Sequence, residues 1–169
     1  MRRAAWLVAV LALALGACGE PEVPLQVPPR GADDVVIDDA RILDVDALAR
    51  DLYAFRHQGW DPVLVTFEAE GASMGMADRA GRKVIEAWGA DLAIVAVAEP
   101  GDFRATGSER RRFFGLFARD VREVPRDVRE RIVEELVPPI AARNDWTEAF
   151  HVAVTELAGA LGEVDEDIR

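Results

Sequence analysis

The chain has 169 residues, half of them hydrophobic, and a formal net charge of −11. That is the size and make-up of one globular domain, and its acidity repels phosphate backbones and excludes nucleic acid as a partner. A single cysteine excludes a disulfide framework or cysteine metal cluster, and two histidines, His57 and His151, leave little room for zinc.

The first element is an address. Met1-Arg2-Arg3 is a short positive region, and Ala4 to Leu15 is apolar throughout. As a helix those residues span about 18 Å, well short of the ~30 Å hydrocarbon core of a bilayer. They are expected to form a signal-peptide core rather than a membrane span. Leu15-Gly16-Ala17-Cys18 resembles the bacterial lipobox, in which small residues precede a cysteine that becomes acylated and then N-terminal. The only cysteine of the chain stands at the position that motif requires. The resemblance implies cleavage after Ala17, palmitate-type acylation of Cys18 and a stable membrane anchor, since two or three acyl chains hold where one is marginal. With Gly19 and no aspartate behind the cysteine, it also implies outer-membrane sorting, facing the periplasm, in a cell with two membranes. Removing residues 1–17 takes away Arg2 and Arg3 and leaves the remainder more acidic still.

Residues 18–33 follow as a tether. Pro21, Pro24, Pro28, Pro29 and Gly31 block a helix and favour an extended, semi-rigid spacer. The folded domain is expected over 34–162. Val45, Leu48, Leu52 and Phe55 have helical spacing behind Asp44 as N-cap, and Gly59 ends that helix. Val63 to Phe67 is a short apolar run of the kind that forms a strand buried on both faces. Ala77, Ala80, Val84 and Trp88 mark a second helix, and Leu92 to Ala98 a second apolar strand. Glu99-Pro100-Gly101-Asp102 is expected to turn into a third, shorter strand at Phe103–Thr106, making an antiparallel hairpin.

From Ser108 onward the spacing predicts helices. Phe113, Phe117 and Val121 form one stripe. Pro125 opens the next helix, with Val128, Ile132 and Leu136 as its apolar face. Pro138-Pro139 should stop or kink it. Asn144 or Asp145 caps the last helix, whose face is Trp146, Phe150, Ala153 and Leu157, and Asp145 with Glu148 has capping-box spacing. Residues 163–169 are a charged tail. Strands alternating with helices predict a three-layer α/β/α sandwich, a small mixed sheet flanked by helices.

This succession resembles the TPM domain of thylakoid-lumen phosphatase-like and photosystem II repair proteins, which many bacterial secreted and membrane-anchored proteins also carry. Val36-x-Asp38-x-Ala40-x-x-Leu43 is similar to the family's first motif, and the helix ending in Trp88-Gly89 before an apolar strand to its second. Phe103-Arg104-x-x-Gly107-x-Glu109 resembles the segment after the hairpin. Asp127, Arg131-Ile132 and Pro138 or Pro139 resemble the helix and proline that follow. The likeness covers residues 34–162. Two features depart from it. Only Ala90-Asp91 stands where family members carry a longer Asn/Asp/Gly-rich loop, and Gly107-Ser108 replaces a doubled glycine.

The resemblance implies a site of hard-cation ligands, with Ca²⁺ or Mg²⁺ held by Asp38, Asp91, Glu109 and Asp127, because such cations take oxygen donors. The plainer reading of Asp38 and Asp91 is that they cap turns and helix ends. Arg110-Arg111-Arg112 can bind a phosphate or an acidic lipid head group, or form a solvated helix face paired with nearby acids. His151 is expected as a structural histidine and His57 at a helix C-terminus. Met74 and Met76 are expected to pack a loop. There is no nucleophile elbow, phosphate-binding loop or Ser/His/Asp arrangement, so no catalytic residue is assigned. The sequence is therefore read as a lipid-anchored envelope protein. Its TPM-like domain is expected to be a non-catalytic binding or accessory module for a membrane complex. The alternatives are a divalent-metal-assisted phosphatase of broad specificity and a purely structural envelope lipoprotein.

Overall fold

The structure, a computed structural model, describes residues 22–107 and 109–164. The expectations for the signal peptide, for Cys18 and for the end of the charged tail lie outside these residues. In chain order the elements are β1 (Val36–Asp38), α1 (Val45–His57), β2 (Pro62–Glu68), α2 (Met74–Trp88), β3 (Leu92–Ala98) and β4 (Arg112–Ala118). Then come α3, in three contiguous pieces (Arg126–Glu130, a π-helical Arg131–Leu136, and Val137–Ala141), and α4 (Trp146–Val164).

The sheet has the order β1-β2-β3-β4. β1, β2 and β3 run parallel, with Asp38 level with Thr66 and Thr66 level with Ala96. β4 returns antiparallel, Arg112 facing Ala98 and Ala118 facing Leu92. β2 and β3 are the central strands and are apolar on both faces because both faces are covered. Leu64, Leu92, Ile94 and Ala96 meet α1, α3 and α4. Val63, Val65, Phe67, Ala93, Val95 and Val97 meet α2. This is the α/β sandwich the alternation predicted. Helices α1 and α2 connect successive parallel strands in one direction across the sheet yet lie on opposite faces, so the two crossovers have opposite hands. Nearly all such connections are right-handed, which makes one of these two unusual.

Local chemistry sets the element ends as expected. The Asp44 Oδ1 accepts from the Ala47 N–H at 3.1 Å and caps α1. Ser73 caps α2 by accepting from the Met76 N–H at 3.2 Å, and Gly89, left-handed at φ 67°, ends it. Asp145 Oδ1 accepts from the Glu148 N–H at 3.2 Å ahead of α4. Met76 is buried in α2, whereas Met74 is exposed at its start.

Three expectations are corrected. The strand after β3 is not Phe103–Thr106. Phe103 and Arg104 are turn residues, and the hairpin partner is β4, where a helical stripe of Phe113, Phe117 and Val121 was expected. Phe113 and Phe117 do share a face, since residues four apart are on one side of a strand as well as of a helix. Phe117 is clasped by glycines: a Cβ at Gly81 of α2 or at Gly115 of β4 would stand 2.6 Å from its ring.

The second correction concerns Pro138-Pro139, which were expected to stop or kink α3 and do not stop it: the helix runs on to Ala141, with a π-helical turn directly ahead of the prolines.

The third concerns the tether. From Glu22 the chain is a strap against α2. Val23 and Leu25 are 7% and 1% exposed and join the α2-side core, each worth about 1.5–3 kcal/mol of burial. Lys83 Nζ donates to the Leu25 carbonyl at 2.8 Å and Trp88 Nε1 to the Pro28 carbonyl at 2.8 Å.

Candidate functional site

The carboxyl ends of parallel strands are where α/β sheets place ligands, above all where neighbouring connections leave to opposite faces. Here β1 leads to α1 and β2 to α2 on the other side, so that end of the sheet opens between them. A cleft of about 490 Å³ stands at that end on the α1, α3 and α4 face, lined by Arg41, Leu43, Asp44, Arg104, Asn144 and Trp146 among others. The lining comes from the β1–α1 loop, the turn after β3 and the α3–α4 turn.

Asp38 builds this cleft rather than lining it. Its Oδ1 accepts from the Ile42 N–H at 3.1 Å and its Oδ2 from the Leu43 N–H at 3.0 Å. The Thr66 hydroxyl, fully buried, donates to Oδ1 as well. Both oxygens are thus committed to folding the loop 39–44, and the turn-capping reading of Asp38 describes its geometry. Arg41, at φ 53°, is held in the left-handed region by this loop. Asn144 across the cleft has φ 62°. Both are non-glycine residues in a conformation that side chains rarely adopt.

The other implied cation ligands do not join Asp38. Asp91 precedes β3, five residues before Ala96, the residue in register with Asp38. At ~3.3 Å per residue that puts it about 16 Å away along the strands, at the opposite end of the sheet. There its Oδ2 accepts from the Asp61 N–H at 3.1 Å, and its Oδ1 lies 3.6 Å from Arg119. Glu109 lies exposed two residues before Arg111, which pairs with Glu99 at the carboxyl end, and Asp127 is exposed in the first turn of α3. Among the described residues no three Asp, Glu, His or Cys side chains converge on a point that could hold a metal ion. The residues present do not fit a Ca²⁺ or Mg²⁺ centre, and no chemistry is derived through one.

The arginines are what this end brings together. Arg104 Nη2 donates to the Ala40 and Arg41 carbonyls at 3.0 and 2.7 Å. Arg110 Nη1 and Arg112 Nη1 both donate to Asn144 Oδ1, at 2.9 and 2.6 Å. The Asn144 amide donates to the Ala105 carbonyl at 3.2 Å. The Arg112 guanidinium also stacks over Trp146, 5.3 Å from the ring, and Trp146 Nε1 donates to the Phe103 carbonyl. Burial lowers the Arg112 pKa, the neighbouring Arg110 charge lowers it further, and Asp102 opposes both only in part. Arg111 differs from its neighbours, pairing with Glu99 at 3.1 Å. The tripeptide was expected to bind a phosphate or acidic head group or to form a helix face; on the β4 approach it splits, with two members turned to Asn144 and one to an acid.

The Arg104–Asn144–Trp146 constellation escaped the sequence reading because its members are far apart in the chain. Phe103-Arg104 and the Asn144-Asp145 cap were noted for other reasons. His151 Nδ1 donates to the Asp51 carboxylate at 2.7 Å between α4 and α1, and neither histidine lines the cleft. A second hollow, about 280 Å³, lies between β4 and α3 beside Met74, Leu116, Phe117 and Val133. No helix among the described residues is long and apolar enough to cross a membrane. No protein-family model matches the chain, and a search of curated proteins returns no match.

Proposed function

We propose that this chain is a lipid-anchored envelope protein whose TPM-like domain is a non-catalytic binding module serving a membrane complex. The supporting observation is the composition of the cleft. It is lined by cations, an amide and aromatic rings, with no nucleophile–base pair and no set of carboxylates. A site of this make-up is suited to holding a ligand, and its one carboxylate, Asp44, is engaged as the cap of α1. The metal-assisted phosphatase reading needs Asp38 and a second carboxylate about 2.3–2.6 Å from one cation. The three hydrogen bonds already made by Asp38 speak against that role. The docked strap adds a spatial constraint. If Cys18 carries the anchor, five residue steps separate it from buried Val23, at most ~18 Å of chain, so the domain works close against the bilayer.

The test is expression of the full chain beside Cys18→Ser, followed by fractionation, fatty-acid labelling and crosslinking in intact membranes. The account expects a labelled, membrane-bound wild type that crosslinks to an envelope protein, and an unlabelled, released variant. Equal membrane attachment of both, or release of both, contradicts the anchored-module reading.

A further inference from the structure

The chain has 31 acidic residues against 20 basic ones, and 16 arginines lie among the described residues. Eight arginines among the described residues lie within 3.6 Å of an Asp or Glu oxygen. Eight others do not: Arg50, Arg79 and Arg129 stand on α1, α2 and α3, Arg143 donates to the Pro139 carbonyl, and Arg41, Arg104, Arg110 and Arg112 gather at the carboxyl-end cleft, the last two behind Asn144. Arg41 is exposed on its wall and makes no side-chain hydrogen bond to a described residue. Arg104 uses one terminal nitrogen on backbone carbonyls, which leaves the rest of its fork for another acceptor. Arg110 and Arg112 share the neutral oxygen of Asn144, which lines the cleft, and Arg110 also donates to the Ala105 and Ala142 carbonyls at 3.2 and 3.3 Å. Asp44, the acid on the lining, turns one oxygen into the first turn of α1 as its cap. Neither of these two like charges meets a carboxylate of the described residues, and a guanidinium fork matches the oxygens of a carboxylate or a phosphate. Ile42 and Leu43, half-buried, supply an apolar wall next to these donors.

We propose that the cleft binds a small organic anion, a carboxylate or phosphate monoester with a short apolar stem. The oxyanion is held between Arg41 and Arg104 on one side and the Asn144 corner backed by Arg110 and Arg112 on the other, with the stem against Ile42 and Leu43. This rests on the binding-module reading and gives it a ligand class. The arginines are the specificity element: they exclude cations and neutral ligands by charge, and the apolar wall separates an organic anion from inorganic phosphate.

The experiment is calorimetric titration of the full-length chain in detergent with hexanoate, phenyl phosphate and inorganic phosphate, beside Arg41→Gln and Asn144→Asp. Saturable binding of hexanoate or phenyl phosphate is expected, tighter than inorganic phosphate, and whichever of the two binds more tightly identifies the anion. Arg41→Gln removes one charge-assisted contact without touching a described partner, and should weaken binding about tenfold. Asn144→Asp supplies the missing carboxylate to Arg110 and Arg112, and aspartate tolerates the same left-handed backbone. The substitution also gives up the amide's bond to the Ala105 carbonyl, so it should abolish binding with the melting temperature little changed, which shows that loss of binding is not loss of fold. Absence of saturable binding by all three probes overturns the proposal, as does binding unchanged in both variants. Inorganic phosphate binding as tightly as the other two overturns the apolar-stem part. None of these outcomes touches membrane attachment or crosslinking, so the binding-module reading stands or falls by its own test.

Discussion

The two ends of the sheet use the same residue types to opposite effect. At the amino end, Arg30 forks onto Asp61 at 2.5 and 2.8 Å, Arg56 approaches the same carboxylate at 3.3 Å, and Arg119 reaches Asp91 at 3.6 Å. The Asp61 hydrogen bond raises the Arg30 pKa above its ordinary value, the mark of a cation well provided for. At the carboxyl end, Arg104, Arg110 and Arg112 meet carbonyls and an amide, Arg41 makes no side-chain hydrogen bond to a described residue, and the Arg112 pKa falls. The Glu68 Oε1 at the end of β2 is buried without a partner, so an unmatched acid remains near the end of the unmatched arginines. Matched charges close the amino end into a latch that holds the strap to α2 and β2. Unmatched charges leave the carboxyl end with binding capacity to spare, at a cost in stability that the core carries.

Breaking the scaffold of the carboxyl end should have the largest effect. Asp38→Ala strands the buried Thr66 hydroxyl and two loop N–H groups, and should cost about 3 kcal/mol in chemical denaturation. The loss should be the same in EDTA and in excess Mg²⁺; a loss seen only with metal would make Asp38 a ligand. Next, Asp61→Ala leaves Arg30 and Arg56 without their acid in a setting where their side chains are 16% and 31% exposed. It should cost about 2 kcal/mol, lowering the melting temperature by about 4–8 °C. Trp88→Phe keeps the packing but loses the bond to the Pro28 carbonyl and weakens the stacking of Arg30, whose guanidinium lies 5.2 Å from the ring. About 1 kcal/mol is expected, together with faster proteolysis of residues 22–30 and no change at the cleft.

The smallest effect belongs to a surface pair outside both ends. Arg122 hydrogen-bonds the Asp120 carboxylate and lowers its pKa from 3.8 to about 2. A carboxylate depressed in the folded state stabilises above its unfolded pKa and loses that contribution as pH falls through the folded one. The pair should therefore act above about pH 4 and fade toward pH 2. Arg122→Gln should return Asp120 to an ordinary titration by NMR, with a melting temperature near neutral pH scarcely changed.

The two ends were unequally legible in the sequence. β2 and β3 were plain, as unbroken apolar runs of strand length, and Asp44, Gly89 and Asp145 marked helix ends through their own side-chain or backbone chemistry. β4 was hidden because Phe113 and Phe117 fit a period of four as well as a period of two. Its Gly115, which a helix would only suffer, makes sense once Phe117 lies across it and Gly81. The strap was hidden under its prolines, although Val23, Leu25 and Val27 alternate with Glu22, Pro24 and Gln26 as a half-buried extended segment does. Of the site, the acids were conspicuous, and of the arginines only the run Arg110-Arg111-Arg112 stood out. An aspartate in a turn looks the same whether it caps a loop or holds a metal, and only the position of Ile42, Leu43 and Thr66 around Asp38 separates the two. That Arg104, Arg110, Arg112 and Asn144 converge depends on a hairpin and a helical turn meeting in space, which no local pattern records.

The most direct test of the contrast between the ends is NMR of the arginine Nε–H and asparagine amide resonances during titration with hexanoate. Saturable shifts at Arg41, Arg104 and Asn144, with Arg30 and Arg119 unmoved, are the expected result. Shifts at Arg30 or Arg119, or none at the carboxyl end, would contradict the assignment of one end to holding the fold and the other to binding.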